Sequence, residues 1–294
     1  MGIGIALAGG GIRGIAHAGV LKAFEDNGIK IDAIGGTSAG SIVATLYAMG
    51  YKPYYIYVLF KRYAKEIINI SNAPIINGIG SFVKTKKLGI VGLNDGTSLE
   101  KMCNELAIRK KVKVIADIKM PLVIPTVDIA EAKEYILTNC APRDNKDDQY
   151  ITEIEIGKAV RASSSFPAVF CPTEYKNHIF MDGGVLDNIP IIELKKIYGK
   201  KIIAVNFESD PVESDSDLMD IVMKTLDIMG NKIAEKALEQ SDFVLTVPTD
   251  RTGLLDIEKL DKCYKFGYDT VVKNLPNIKK MIRQSWILTI KNNS

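Results

Sequence analysis

Three short stretches of this 294-residue chain hold residue types at spacings that can do chemistry. Gly36-Thr37-Ser38-Ala39-Gly40 fits the nucleophile-elbow pattern G-x-S-x-G, between a predicted short strand and a predicted helix. A serine there must occupy a sharp, strained turn that lifts its hydroxyl clear of the backbone. Glycines two positions to either side let the flanking strand and helix approach that closely. The following helix aims its N-terminal amides and positive dipole end at a developing oxyanion. The plainer reading is a glycine-rich turn that only joins two elements. The second stretch is Gly9-Gly10-Gly11-Ile12-Arg13-Gly14, again between strand and helix. It contains G-x-G-x-x-G, the dinucleotide fingerprint, which also requires an acid ending the second strand to hold the ribose hydroxyls. Here that strand runs into Gly35-Gly36-Thr37-Ser38 and Asp32 stands at its start, so an oxidoreductase is the weaker reading. A row of glycine amides facing Ser38 serves better as an oxyanion hole. Arg13 has three open roles: orienting this loop, binding an anionic head group, or forming a plain surface ion pair.

A serine nucleophile needs a base, and the chain has only two histidines, His17 and His178. In the order Ser, acid, His only His178 follows Ser38, and it sits on a predicted strand; His17 lies one turn into the first helix. Both read as structural histidines. The better base is Asp182, in Met181-Asp182-Gly183-Gly184 at a strand end. Two glycines after a carboxylate permit a tight turn that presses it against a partner's hydroxyl. Alone, an Asp-Gly turn is only a turn. Burial in such a site should raise the Asp182 pKa above its reference of about 3.9 and make proton uptake easier.

These residues need a scaffold, and the pattern of apolar runs supplies one. Gly2 to Ala8 predicts a strand, Ile15 to Phe24 a helix, Ile31 to Gly35 a strand and Ser38 to Met49 a helix, so strand-turn-helix occurs twice within fifty residues. Further strands are predicted at 121–127, 134–137, 178–181, 201–206 and 243–247, and further helices at 154–162, 218–239 and from 257 onward. Alternating helices and apolar strands predict a three-layer α/β/α fold on a mostly parallel central sheet. No repeat or low-complexity linker divides the chain, which reads as one domain over 1–294. A basic, tyrosine-rich insertion occupies about 51–92, and a helical C-terminal region follows about 207. The insertion carries seven Lys or Arg against the single acid Glu66, with five tyrosines between Tyr51 and Tyr63. Residues 207–220 carry six acids and no base, a solvated loop, while Pro276 to Ser294 carries four bases, no acid and the only tryptophan, Trp286.

Composition excludes other classes. A net charge of +3 is too small to imply a nucleic-acid partner, and no recognition motif is present. Cys103, Cys140, Cys171 and Cys263 form no C-x-x-C pair and have no histidine at ligand spacing, so neither zinc nor a disulfide framework is expected. The N-terminus lacks a basic region before its apolar stretch, and no window reaches 18 consecutive apolar residues. A cytoplasmic protein, peripheral at the membrane, is the expectation.

Taken in order, the glycine loop, the serine elbow and Asp182-Gly183-Gly184 resemble the patatin-like phospholipases, lipid acyl hydrolases with a Ser-Asp dyad. The likeness extends to Gly14-Ile15-Ala16-His17-Ala18-Gly19-Val20-Leu21, to Arg161-Ala162-Ser163-Ser164-Ser165-Phe166-Pro167 and to Asp187-Asn188-Ile189-Pro190, and covers roughly 3–206. It implies Ser38 as nucleophile, Asp182 as base, the Gly9–Gly14 loop as oxyanion hole, no cofactor and no metal. Its implied substrate is a phospholipid or other lipid ester, met through transient contact with a membrane surface. The aromatic and basic stretch from Tyr51 to Lys65 and the tail around Trp286 have the composition for that contact, though tyrosines packed on the core beside solvated lysines would have the same composition. A noncatalytic lipid- or partner-binding protein of the same fold is the other reading of these motifs.

Overall fold

The computed structural model describes residues 2–71, 94–142, 148–167, 169–208, 218–253 and 256–292. Most of the acidic stretch at 207–220 and the insertion beyond residue 71 lie outside them, as do the side chains of 285–292, Trp286 among them.

Among the described residues nine strands form one sheet: β1 (Ile3–Leu7), β2 (Ile31–Gly36), β3 (Leu122–Asp128), β4 (Lys133–Thr138), β5 (Tyr150–Ile151), β6 (Thr173–Tyr175), β7 (His178–Asp182), β8 (Ile202–Phe207) and β9 (Phe243–Val247). The order is β5-β4-β3-β2-β1-β8-β9, with β7 paired to β3 and β6 to β7. From β3 through β9 this path is parallel; β4 and β7 join β3 antiparallel. Strands β1 and β3 are buried along their whole length, and both read as near-continuous apolar runs, as strands covered on both faces must.

The helices are α1 (Ile15–Asp26), α2 (Ala39–Ala48), α3 (Pro53–Ser71), α4 (Thr97–Arg109), α5 (Ile156–Ser163), α6 (Ile191–Tyr198), α7 (Leu218–Leu238) and α8 (Leu260–Asn292). Helix α8 packs along α1 at very short range: a Cβ on Gly19 would fall 2.0 Å from the Tyr264 carbonyl oxygen, and one on Gly267 2.0 Å from that of Ala16. The region after 207 is therefore not only helical, since β9 extends the sheet beside β8 and α8 closes over α1. No described helix is long and apolar enough to cross a membrane.

Two features of this topology place the site. The chain leaves β1 toward β2 and β3 on one side and returns to β8 and β9 on the other, which opens a crevice at the C-terminal strand ends near β1. Leu7 pairs with Gly36, so the loop after β1 and the turn after β2 emerge side by side on that edge.

Candidate active site

Ser38 occupies the turn between β2 and α2 at φ 53° and ψ −125°, a conformation that side-chain-bearing residues rarely adopt. Neighbouring backbone leaves room only for hydrogen at the flanking glycines. A Cβ on Gly36 would lie 2.3 Å from the Gly40 carbonyl oxygen, and one on Gly40 2.6 Å from that of Leu7. Three other hydroxyls clamp the strained residue. Ser163 Oγ accepts from the Ser38 amide at 3.1 Å, while Ser41 Oγ and Ser164 Oγ donate to its carbonyl at 2.6 and 3.1 Å. Thr37 beside it donates its hydroxyl to the Asp187 carbonyl at 2.9 Å.

Register brings the carboxylate to the serine. Gly35 pairs with Val123 and Thr126 pairs with Asp182, so three residues beyond the first pair Ser38 and Asp182 stand at one level of the sheet. Asp182 ends β7 and is 2% exposed. Its Oδ1 accepts from the Gly184 amide at 2.8 Å, and the tight turn needs Gly183, whose Cβ would fall 2.3 Å from the Pro125 carbonyl oxygen. Burial lifts the Asp182 pKa to about 7, in the direction expected from sequence, against the opposing pull of the Ser38 hydroxyl and the Gly184 amide. Oδ2 is buried without a hydrogen bond of good length and angle among the described residues. The Ser38 hydroxyl lies close enough to lower the Asp182 pKa but makes no hydrogen bond of good length and angle to it. Such contacts commonly tighten only when substrate binds.

The glycine loop forms a short 3-10 turn over Gly11–Gly14 that leads into α1. Two of its amides are already engaged: Gly9 donates to the Asn188 carbonyl at 3.0 Å and Arg13 to that of Gly10 at 3.2 Å. No described group accepts from Gly10, Gly11 or Ile12, and all three line the cleft in front of Ser38. The expected donor set of Gly9 to Gly14 narrows to these three. Gly14 instead permits close packing, because its Cβ would fall 2.5 Å from that of Ala39.

Arg13 is no surface residue. It is 4% exposed, donates from Nε to the Gly10 carbonyl at 3.2 Å, pairs with Asp227 of α7 at 2.7 Å and lies over the Phe207 ring. Of its three roles, the surface ion pair is replaced by a buried one that ties the loop to α7. Neither histidine lines the cleft. His17 Nε2 donates to the Ala8 carbonyl at 2.8 Å, and burial lowers its pKa to about 4. His178 Nδ1 donates to Asp128 at 2.7 Å. Asp128, Glu131 and His178 could offer three atoms to a metal within 4.8 Å of one another. Each already has a hydrogen-bond partner: beside the His178–Asp128 bond, Asp128 accepts from the Ala130 amide and Glu131 from the Tyr135 hydroxyl.

Ser38, Ala39, Asp182 and Gly184 open into a cleft with an enclosed volume of about 170 Å³. Its walls are mostly apolar: Ile42, Phe60, Leu99, Phe166, Phe170, Leu226 and Met229 are among them. Asn188 joins this lining with its side chain packed toward Gly9 and Gly184. Sequence reasoning assigned no role to Asn188, Ser163 or Ser164. All three sat inside the quoted motifs, but only the fold shows what they touch. In the Tyr-rich stretch, Tyr51 is buried and Tyr57 bonds Asp261, while Tyr54 and Tyr55 are exposed.

Comparison with known proteins bears on this arrangement. A family model described as patatin-like phospholipase matches residues 5–195. Lysophospholipase NTE1 of Candida albicans is 28% identical over 302 residues and that of Debaryomyces hansenii 32% over 303. Each match takes in 90% of this chain but only 19% and 17% of those proteins, so the chain spans under a fifth of their length. Bacillus subtilis YqhO is 29% identical over 209 residues, 67% of this chain and 68% of its own. Among solved structures, VipD from Legionella pneumophila aligns with a TM-score of 0.50 at 16% identity, over 94% of this chain and 67% of its own. The ExoU–SpcU complex of the Pseudomonas aeruginosa type III secretion system aligns with a TM-score of 0.51 at 18% identity, over 94% and 51%. These two are likenesses of fold.

Proposed function

This chain belongs to the patatin-like phospholipase family, and from that premise we propose that it is a serine lipid acyl hydrolase acting through a Ser38–Asp182 dyad. Its substrates are fatty-acyl esters of phospholipids or lysophospholipids, the latter being what its NTE1 relatives are named for. One observation carries the reading: a strained serine opens into an apolar cleft beside a buried carboxylate and three amides with no described acceptor.

In the reaction, Ser38 Oγ attacks the acyl carbonyl as Asp182 takes its proton, and the oxyanion gathers donors from Gly10, Gly11 and Ile12. Asp182 then returns the proton to the departing alcohol, leaving an acyl-serine. Water deprotonated by Asp182 attacks that ester, the acyl–Oγ bond breaks to release the fatty acid, and Ser38 Oγ takes the proton back from Asp182. A carboxylate held at a pKa of about 7 is a far better base than one near 3.9, and near neutral pH it is still ionised in a large fraction of molecules. No step calls for a metal or cofactor. The whole of 1–294 acts as one domain in this reading, visiting a lipid surface to collect its substrate. Purified chain should release fatty acid from lysophosphatidylcholine with EDTA present, and Ser38→Ala should lower kcat at least roughly 10³-fold. An inactive parent, or a Ser38→Ala variant at the parent rate, overturns the proposal.

A further inference from the structure

We propose that the outer face of α7, together with the 3-10 turn after Asp182, is the surface that seats on lipid, with its apolar side chains among the acyl chains. The inference rests on the hydrolase reading and adds where the substrate enters.

The cleft itself shows where it opens. Val185 and Met229 line it, yet they are 38% and 54% exposed, whereas the lining residues on α3, Phe60 and Ala64, are 9% and 6% exposed. An acyl chain leaving a bilayer for this cleft avoids water only if the rim faces the bilayer. That rim continues into further exposed apolar side chains: Leu186 on the turn, and Ile221, Ile228 and Ile233 on α7. Helix and turn lie against each other at Gly230, where a Cβ would stand in ordinary contact, 3.4 Å from the Gly184 carbonyl oxygen and 3.5 Å from the Asn188 Cγ. Ala234 and Ala237 face the protein while Ile221, Ile228 and Ile233 face out, so the helix is apolar on its outer side as well as its packed one.

Charge identifies the kind of lipid surface. Lys224 shares Asp227 with the buried Arg13, and Lys232 pairs with Glu235, so the described side chains of α7 set three lysines against two carboxylates, an excess of one positive charge within the helix. So nearly neutral a face gains little from anionic head groups and loses little to salt. Its occupant is a zwitterionic lipid surface.

The test is sedimentation with phosphatidylcholine vesicles at low and high salt, comparing the full chain with Ile228→Asp/Ile233→Asp and Tyr54→Asp/Tyr55→Asp. The two isoleucines are half exposed and the variant should fold, as its circular dichroism would show. Expected is salt-insensitive binding by the parent and by the tyrosine variant, and roughly tenfold weaker binding per isoleucine replaced. Hydrolysis of p-nitrophenyl butyrate in solution should stay within about twofold of the parent for both variants. Unchanged binding by the isoleucine variant overturns the inference. Binding lost only in the tyrosine variant also overturns it, since α3 would then be the seat. So does a parent dimer that the isoleucine change turns to monomer by light scattering while vesicle binding persists. A parent that cleaves the soluble ester but ignores vesicles removes the docking surface and leaves the hydrolase. One that binds vesicles through α7 and cleaves neither ester does the reverse.

Discussion

Asp182→Asn should make the protein inactive and, above neutral pH, more stable. Burial holds the Asp182 pKa at about 7, against 3.8 for the free group, a shift of about 3 pH units or about 4 kcal/mol. Because the folded state holds this proton more tightly than the unfolded chain, folding stability falls as pH rises between about 4 and about 7, by about 1.4 kcal/mol per unit. Below that window both states are protonated and the group contributes no penalty; above it the full penalty of an ionised, desolvated carboxylate applies. Asparagine has the shape of the protonated acid and can still accept from the Gly184 amide, but it does not ionise. Glu134 and Asp187 also have pKa values raised by burial, to about 8 and about 7, and His17 has one lowered to about 4. Comparing parent and variant at the same pH removes their shared contributions. Urea unfolding at pH 5 and pH 8 should show the variant's advantage over the parent growing by about 3 kcal/mol between the two. Ester hydrolysis by the variant should be lost at both. A stability difference that does not change with pH would refute the claim that Asp182 is held in a desolvating site.

Gly40→Ala should cut activity roughly 10²-fold and destabilise by about 1–3 kcal/mol, since its Cβ would meet the Leu7 and Ala8 carbonyl oxygens and must shift the elbow; steady-state kinetics and thermal melts check this. Arg13→Met should cost about 1–3 kcal/mol in urea unfolding by taking the buried guanidinium from Asp227, which keeps only Lys224 at 3.3 Å, and Arg13→Met/Asp227→Leu should recover part of the loss. His17→Gln and His178→Asn should change stability but keep kcat within about threefold, because neither ring reaches the cleft. A folded histidine variant with no turnover would restore a histidine base to the mechanism.

The sheet was readable because its longer strands are runs rich in apolar and β-branched residues, near-continuous in the buried parallel β1 and β8: β1, β2, β3, β4, β7, β8 and β9 match predicted runs to within a residue or two. Short or polar elements were not. Strand β6 is Thr-Glu-Tyr and pairs only with β7, and α4, from Thr97 to Arg109, has no N-terminal side-chain cap to announce it. The two loops with unusual backbone were legible since glycine is the residue that close approach demands. Contacts between distant segments left no such mark. Nothing in the spacing of Arg13 and Asp227, or of Ser38 and Ser163, foretells that each pair meets, and the division of the loop amides into engaged and free depends on where Asn188 comes to lie.

The central claim is that Ser38 is the group that takes the acyl chain. Incubating the chain with a fluorophosphonate probe and sequencing the tryptic fragment 31–61 by mass spectrometry tests this, since that fragment carries both Ser38 and Ser41 and the Lys52-Pro53 bond resists trypsin. One adduct per chain is expected, on Ser38, absent from Ser38→Ala and weakened in Asp182→Asn. An adduct on Ser41 or any other serine, or labelling that persists undiminished in Ser38→Ala, would contradict it.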